Sequence, residues 1–153
     1  MSRPRLNVLV LAAGGNVSEG ILKALALCEP PCRVVGADVD ALKLGLYTVD
    51  AAHISPWARQ DSFMDWLLDV CRREQIHAVL TGAEAILPTL AVHAAYVRSE
   101  TGAVCVVSAP EILDVGDDKL RTCEWLVEHG FRCPAYATSE DQPALEQLAR
   151  TYG

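Results

Sequence analysis

The sequence predicts an α/β fold, a doubly wound parallel sheet of about five strands with helices on both faces. Three observations carry that prediction. Residues 6–11, Leu-Asn-Val-Leu-Val-Leu, form a strand-length apolar run that empties into Ala12-Ala13-Gly14-Gly15-Asn16-Val17-Ser18-Glu19-Gly20, and such runs are buried on both faces of a parallel sheet. Further strand-like runs alternate with helical patterns in the order β-α-β-β-α-β-α-β, which builds parallel crossovers. Between Asp61 and Glu74, Phe63, Trp66, Leu67, Val70 and Cys71 recur at i, i+3, i+4, i+7 and i+8, with Asp65, Asp69, Arg72 and Arg73 opposite. That is the stripe of a helix lying on a sheet.

The remaining elements follow in order. Ile21, Leu22, Leu25 and Ala26 keep helical spacing up to about Leu27, and Glu29-Pro30-Pro31 stops the helix. Arg33–Ala37 is the second strand and ends in Asp38-Val39-Asp40. Ala51–Ser55 is the third, closed by Pro56. Ile76–Thr81 is the fourth, and Gly82-Ala83-Glu84 turns into a helix through about Val97. Ala103–Val107 is the fifth, after which Pro110 suits a first helical turn. From Asp117-Asp118-Lys119 the character changes. A helix with Leu120, Cys123, Leu126 and Val127 inward is closed by Gly130. A final helix carries Leu145, Leu148, Ala149 and Tyr152 on one face, with Ser139 as its N-cap and Gln142 three residues later.

The chain has 153 residues, room for one full domain and part of another. Half the residues are apolar, as in a compact globular protein. The net charge of −7 is shared as −4 over residues 1–115 and −3 over the rest, so neither half has a basic field and no nucleic-acid partner is expected. Glycines interrupt the longest apolar run and the N-terminus leads straight into a strand, which predicts a cytoplasmic protein with no membrane partner. The cysteines at 28, 32, 71, 105, 123 and 133 form no C-x-x-C pair, and the histidines at 53, 77, 93 and 129 show no metal spacing. The cysteines read as small buried hydrophobes kept reduced, and no metal ligand is assigned.

In an open parallel sheet, ligands bind where strands end. The candidate substrate contacts are therefore Gly14, Gly15, Asn16, Ser18 and Gly20 in the glycine turn, Asp38 after the second strand and Glu84 after the fourth. The turn is not a dinucleotide fingerprint. Counted from Gly14 the middle glycine is replaced by Asn16, and counted back from Gly20 by Val17. Gly15-x-x-x-x-Gly20 has phosphate-loop spacing, but Ile21 and Leu22 stand where Lys and Ser/Thr are needed. Asp38, about twenty residues past the glycines, also suits a ribose hydroxyl. That keeps open a second reading, an NAD(P)- or nucleotide-sugar-binding Rossmann domain of an oxidoreductase.

Four stretches, taken together, carry a family resemblance: Val8-Leu9-Val10-Leu11-Ala12-Ala13-Gly14-Gly15-x-x-x-x-Gly20; Val35-Gly36-Ala37-Asp38; Ile76-His77-Ala78-Val79-Leu80-Thr81-Gly82-Ala83-Glu84; and Asp118-Lys119-x-x-Thr122-x-x-x-Leu126-x-x-x-Gly130-Phe131-x-x-Pro134. In this order they resemble the N-terminal part of an ATP-grasp protein, most similar to the carbamoyl-phosphate-synthase large-subunit-like branch. The resemblance implies that residues 1–115 are a Rossmann-like pre-ATP-grasp domain on the substrate side and that residues 116–153 begin the ATP-grasp domain. It also implies that Lys119 approaches nucleotide phosphates, that Glu84 faces substrate and that Gly14, Gly15 and Gly20 belong to the substrate-side loop.

Such enzymes activate a carboxylate with ATP and pass the acyl group to an amine, with Mg²⁺ held by acids. The resemblance therefore implies ATP and Mg²⁺ in the intact protein, held by groups beyond Gly153, with neither bound tightly by these residues. The expected partners are a small-molecule carboxylate or amine and the remainder of the ATP-grasp module. No catalytic residue is assigned here, and the chain is expected to be an N-terminal region without ligase turnover of its own. A third reading is a non-catalytic interaction module, in which Trp125, Tyr136 and Tyr152 support a homodimer; the expectation for these three is a place in a core.

Overall fold

The computed structural model describes residues 5–153. Its five strands are β1 (Asn7–Leu11), β2 (Arg33–Asp38), β3 (Ala51–Ile54), β4 (Ala78–Thr81) and β5 (Val104–Cys105). All pair in parallel, in the spatial order β3-β2-β1-β4-β5. β1 takes the centre because it is the most continuously apolar strand, and Val8 through Leu11 are all buried. Its register sets Leu9 beside Val35 and Val79 and Leu11 beside Ala37, so these side chains share one face of the sheet. That face is covered by α2 (Ser62–Arg73) and α3 (Leu87–Thr101), which contribute Phe63, Leu67, Val70, Cys71, Leu90 and Val97 to a continuous core. Val8 and Val10 alternate to the opposite face. There α1 (Asn16–Ala26) packs against β1, with Ser18 as its one buried residue and Ile21, Leu22 and Leu25 half-buried.

Several boundaries differ from the sequence expectation, each for a local reason. α1 begins at Asn16, because Gly15 already has extended backbone at the N-cap and its carbonyl accepts the Glu19 N–H. The turn is therefore only Ala12–Gly15, and Gly20 lies inside the helix. The helix expected after Gly82 starts as a 3-10 turn at Glu84–Ile86 and becomes α-helical at Leu87. It ends at Gly102, whose φ of +78° is the left-handed geometry of a helix C-cap. β5 shortens to two residues at the sheet edge, where β4 is its single neighbour.

The expectation of buried cysteines holds for Cys71 and Cys105 alone; Cys28 is exposed, Cys32, Cys123 and Cys133 are half-buried, and all six are free thiols. Burial pushes the Cys71 thiol up to about 12. Such a thiol is a packing group rather than a nucleophile.

The chain divides into two compact units, one ending at Ala109 and the other Pro110–Gly153. The second holds α4 (Pro110–Asp117), α5 (Lys119–Glu128) and α6 (Gln142–Tyr152). The Asp118 carboxylate caps α5 by accepting the Leu120 and Arg121 N–H groups at 2.8 and 3.2 Å. Gly130, at φ +74°, follows its last turn as expected. The cap of α6 is Asp141 rather than Ser139: it accepts the Ala144 N–H at 3.1 Å, and Pro143 in the first turn fixes the start beside it. None of the three helices has a buried residue. Trp125, Tyr136 and Tyr152 are 39%, 43% and 73% exposed, which overturns their expected place in a core. Trp125 instead stacks on His129 and Phe131, with ring centroids 4.0 and 5.9 Å away.

Candidate functional site

At the carboxyl ends of the strands lies a cleft of about 260 Å³. Ala12 comes from the end of β1, Asp38 and Val39 from the end of β2, Ser55–Arg59 from the loop after β3, and Ala83, Ala85 and Ile86 from the segment after β4. The first helical crossovers leave β1 and β4 in opposite directions across the sheet, so this is the crevice where a doubly wound fold binds ligands.

The floor is a strained and tightly tied turn. Ala12 has φ +51°, a left-handed conformation that is uncommon for a residue with a Cβ and that concentrates at ligand sites. Its carbonyl accepts the Gly15 N–H at 2.9 Å. The turn is fastened to β2 by Asp38, 5% exposed, whose Oδ2 accepts the Gly14 N–H at 2.9 Å and whose Oδ1 accepts the Asp40 N–H at 3.3 Å. It is fastened to β4 by Ser18, whose hydroxyl donates to the Leu11 carbonyl at 3.2 Å and accepts the Gly82 N–H at 3.1 Å. This closeness excludes a side chain at Gly82, where a Cβ would stand 2.4 Å from the Ser18 nitrogen. Over the turn lies the aliphatic stem of Lys43, whose carbons occupy the space a Gly14 side chain would need.

The structure distributes the sequence-derived candidates unevenly. Asp38 lines the cleft. Gly14 and Gly15 form the adjoining turn, and Asn16 is the exposed first residue of α1. Ser18 is wholly buried beneath the turn, with its hydroxyl engaged on both sides. Gly20 faces open space, with nothing within 4 Å of a Cβ placed there, so it has no role in close packing. Glu84 is exposed on the 3-10 turn, between Ala83 and Ala85, which do line the cleft. Lys119 is the exposed first residue of α5, in the second unit.

Sequence reasoning missed the wall formed by Trp57, Arg59 and Ile86. The signal was Pro56: a residue that ends a parallel strand hands the chain to the same edge as Gly14. Gln60 fixes the loop, since its side-chain oxygen accepts the Trp57 N–H and its own N–H donates to the Trp57 carbonyl, both at 2.9 Å. The Arg59 guanidinium carbon sits 5.7 Å from the Trp57 ring centroid, within cation–π range. Among the described residues no carboxylate pairs with Arg59.

The opposite edge of the sheet has a different kind of polar cluster. The Glu74 carboxylate pairs with Arg33 at 2.5 Å and with His53 Nε2 at 2.8 Å. The Arg33 guanidinium, with His53 assisting, holds the Glu74 carboxyl below the usual glutamate range against the opposing effect of burial. Asn7 donates its amide to the carbonyls of Glu74 and Gln75, and its backbone N–H to His77 Nδ1. These bonds tie the starts of β1 and β2 to the end of α2. Among the described residues no group of three or more His, Cys, Asp or Glu is placed to hold a metal ion.

The family model described as "PylC-like, N-terminal domain" matches residues 8–106. Comparison with curated proteins finds no significant match. Among solved structures, the chain is similar to the biotin carboxylase domain of a single-chain bacterial carboxylase, with a TM-score of 0.58 and 24% identity, covering 95% of this chain and 34% of that one. It is also similar to the biotin carboxylase domain of a thermophilic 2-oxoglutarate carboxylase bound to bicarbonate, with a TM-score of 0.60 and 14% identity, covering 98% and 34%. At these identities the likeness is one of fold. The chain spans about a third of the length of these neighbours. Family and fold together bear out the resemblance to the N-terminal region of an ATP-grasp protein.

Proposed function

The chain belongs to the PylC-like N-terminal domain family, and we propose that it is the N-terminal, substrate-side domain of an ATP-dependent carboxylate–amine ligase. The observation that carries this reading is the cleft at the strand ends, which four of the five strands or their following loops line while the glycine turn beside it lacks the features of a nucleotide-phosphate loop. Asp38 favours this reading over a dinucleotide site: it is buried and holds the turn together, whereas a ribose-binding acid must offer its oxygens to the ligand. The neighbours' descriptions add support, since the thermophilic carboxylase domain is described as bound to bicarbonate in one structure and to ADP in another.

In this reading the first unit binds and orients the small acid or amine, Asp38 and Ser18 hold the floor in shape, and Glu84 faces the cleft's mouth. Residues 116–153 begin the ATP-grasp domain, which agrees with neighbours that cover 95–98% of this chain rather than the first unit alone. The partner is the remainder of that module, and Lys119 approaches the nucleotide phosphates once it is in place. ATP supplies the phosphoryl group that activates the acid. Calorimetric titration with NADH tests the reading against its rival: no binding heat is expected, and micromolar binding would overturn it in favour of a dinucleotide-binding oxidoreductase domain.

A further inference from the structure

We propose that the Trp57–Arg59 segment determines specificity in the cleft, selecting a small organic anion with a flat apolar body: the anionic group pairs with Arg59 and the body lies against Trp57 and Ile86. The inference rests on the reading of the cleft as the substrate site and deepens it. Four observations lead to it. The walls are nearly all apolar, built from Ala12, Val39, Pro56, Trp57, Ala58 and Ile86, which suits a hydrocarbon body rather than a polyhydroxy or phosphorylated one. Arg59 is the cation among the lining residues, and among the described residues no acid pairs with it.

The segment is also preorganised. The two Trp57–Gln60 bonds fix the turn before any ligand arrives, and the Arg59 guanidinium carbon lies 5.7 Å from the indole centroid, within cation–π range. Less ordering is then required on binding. Finally, the lining holds one acid, Asp38, and one cation, Arg59. Asp38 places a buried carboxylate on the β2 side, where both of its oxygens already accept backbone N–H groups. An anionic group is repelled there and drawn to Arg59, so the ligand has one favoured orientation. A guanidinium offers two parallel donors to a carboxylate, which a neutral isostere cannot use in the same way.

The test uses the whole 153-residue chain with two probes of one shape, benzoate and benzamide, followed by two-dimensional ¹⁵N NMR. The three tryptophan indole N–H signals are assigned with a Trp57→Phe variant. Benzoate is expected to shift the Trp57 indole and the amides of Ala12, Val39 and Ile86, to bind about tenfold more tightly than benzamide, and to lose about that factor in Arg59→Gln. Arg59 is exposed, so this variant keeps the fold, and unchanged shifts of the Leu9–Leu11 amides verify that. If both probes bind the cleft equally, or Arg59→Gln leaves benzoate binding unchanged, the specificity proposal is overturned while the cleft remains a binding site. If neither probe moves any cleft signal, the substrate-site reading falls with it.

Discussion

The two units of the chain are built by different means. In the first, Leu9, Val10, Val35, Leu67, Val79, Leu90 and Val97 are wholly removed from water, and each buried aliphatic side chain contributes about 1.5–3 kcal/mol. In the second, α4, α5 and α6 bury no residue, and what defines them is local: the Asp118 and Asp141 caps, Gly130 and the ring stack around Trp125. Caps and i,i+4 pairs are worth a few tenths to about 2 kcal/mol each, too little to replace a core. The contrast is therefore between a unit with a continuous apolar core and helices whose apolar side chains stay at least partly exposed.

The largest expected effect tests that contrast directly. Leu9→Ala should cost about 2–5 kcal/mol, whereas Leu126→Ala, at a half-buried site on α5, should cost under about 1 kcal/mol. Urea unfolding of both variants checks it, and equal losses would mean that α5 shares a core of the same quality. Next comes the seam beneath the cleft. Gly82→Ala drives a methyl group into the Ser18 backbone and is expected to cost about 1–3 kcal/mol, with amide shifts concentrated at Ala12–Ser18.

A third test concerns acid. Because the Glu74 pKa is lowered in the folded protein, the Glu74–Arg33 pair stabilises the fold above the unfolded value of about 4.3 and ceases to do so as pH falls through the lower folded value. Glu74→Gln should therefore flatten the loss of thermal stability below about pH 4.3, and an unchanged acid limb would remove the pair from the balance. The smallest effect is expected at Gly20→Ala. This glycine lies mid-helix with open space around it, so alanine should stabilise by about 0.5–1 kcal/mol, where a true packing glycine would be harmed.

Legibility in the sequence differs from residue to residue. The strands were readable because a central parallel strand must be apolar on both faces, and Val8–Leu11 has no other home. The α2 stripe was readable because one face is charged and the other is not. The start of α1 was misplaced because glycine spacing drew the turn out to Gly20, while helix formation needs only an extended Gly15 and free residues after it. The site was half legible. Asp38 was found because it ends a strand, but its bonds to Gly14 and Asp40 depend on how the turn folds back over β2. Trp57 and Arg59 were missed because they follow a strand that Pro56 closes, and only the β3-β2-β1-β4 order brings that loop to the glycine turn. Trp125, Tyr136 and Tyr152 were expected in a core because aromatic residues usually are buried; the second unit offers none.

The central claim is that these residues supply the substrate side of a ligase and not its phosphoryl-transfer machinery. The most direct measurement is ADP formation by the purified 153-residue chain, given ATP, Mg²⁺ and a panel of paired small carboxylic acids and amines. No ADP above background is expected for any pair. Sustained ADP release that requires both an acid and an amine, and that disappears in Lys119→Ala, would contradict it.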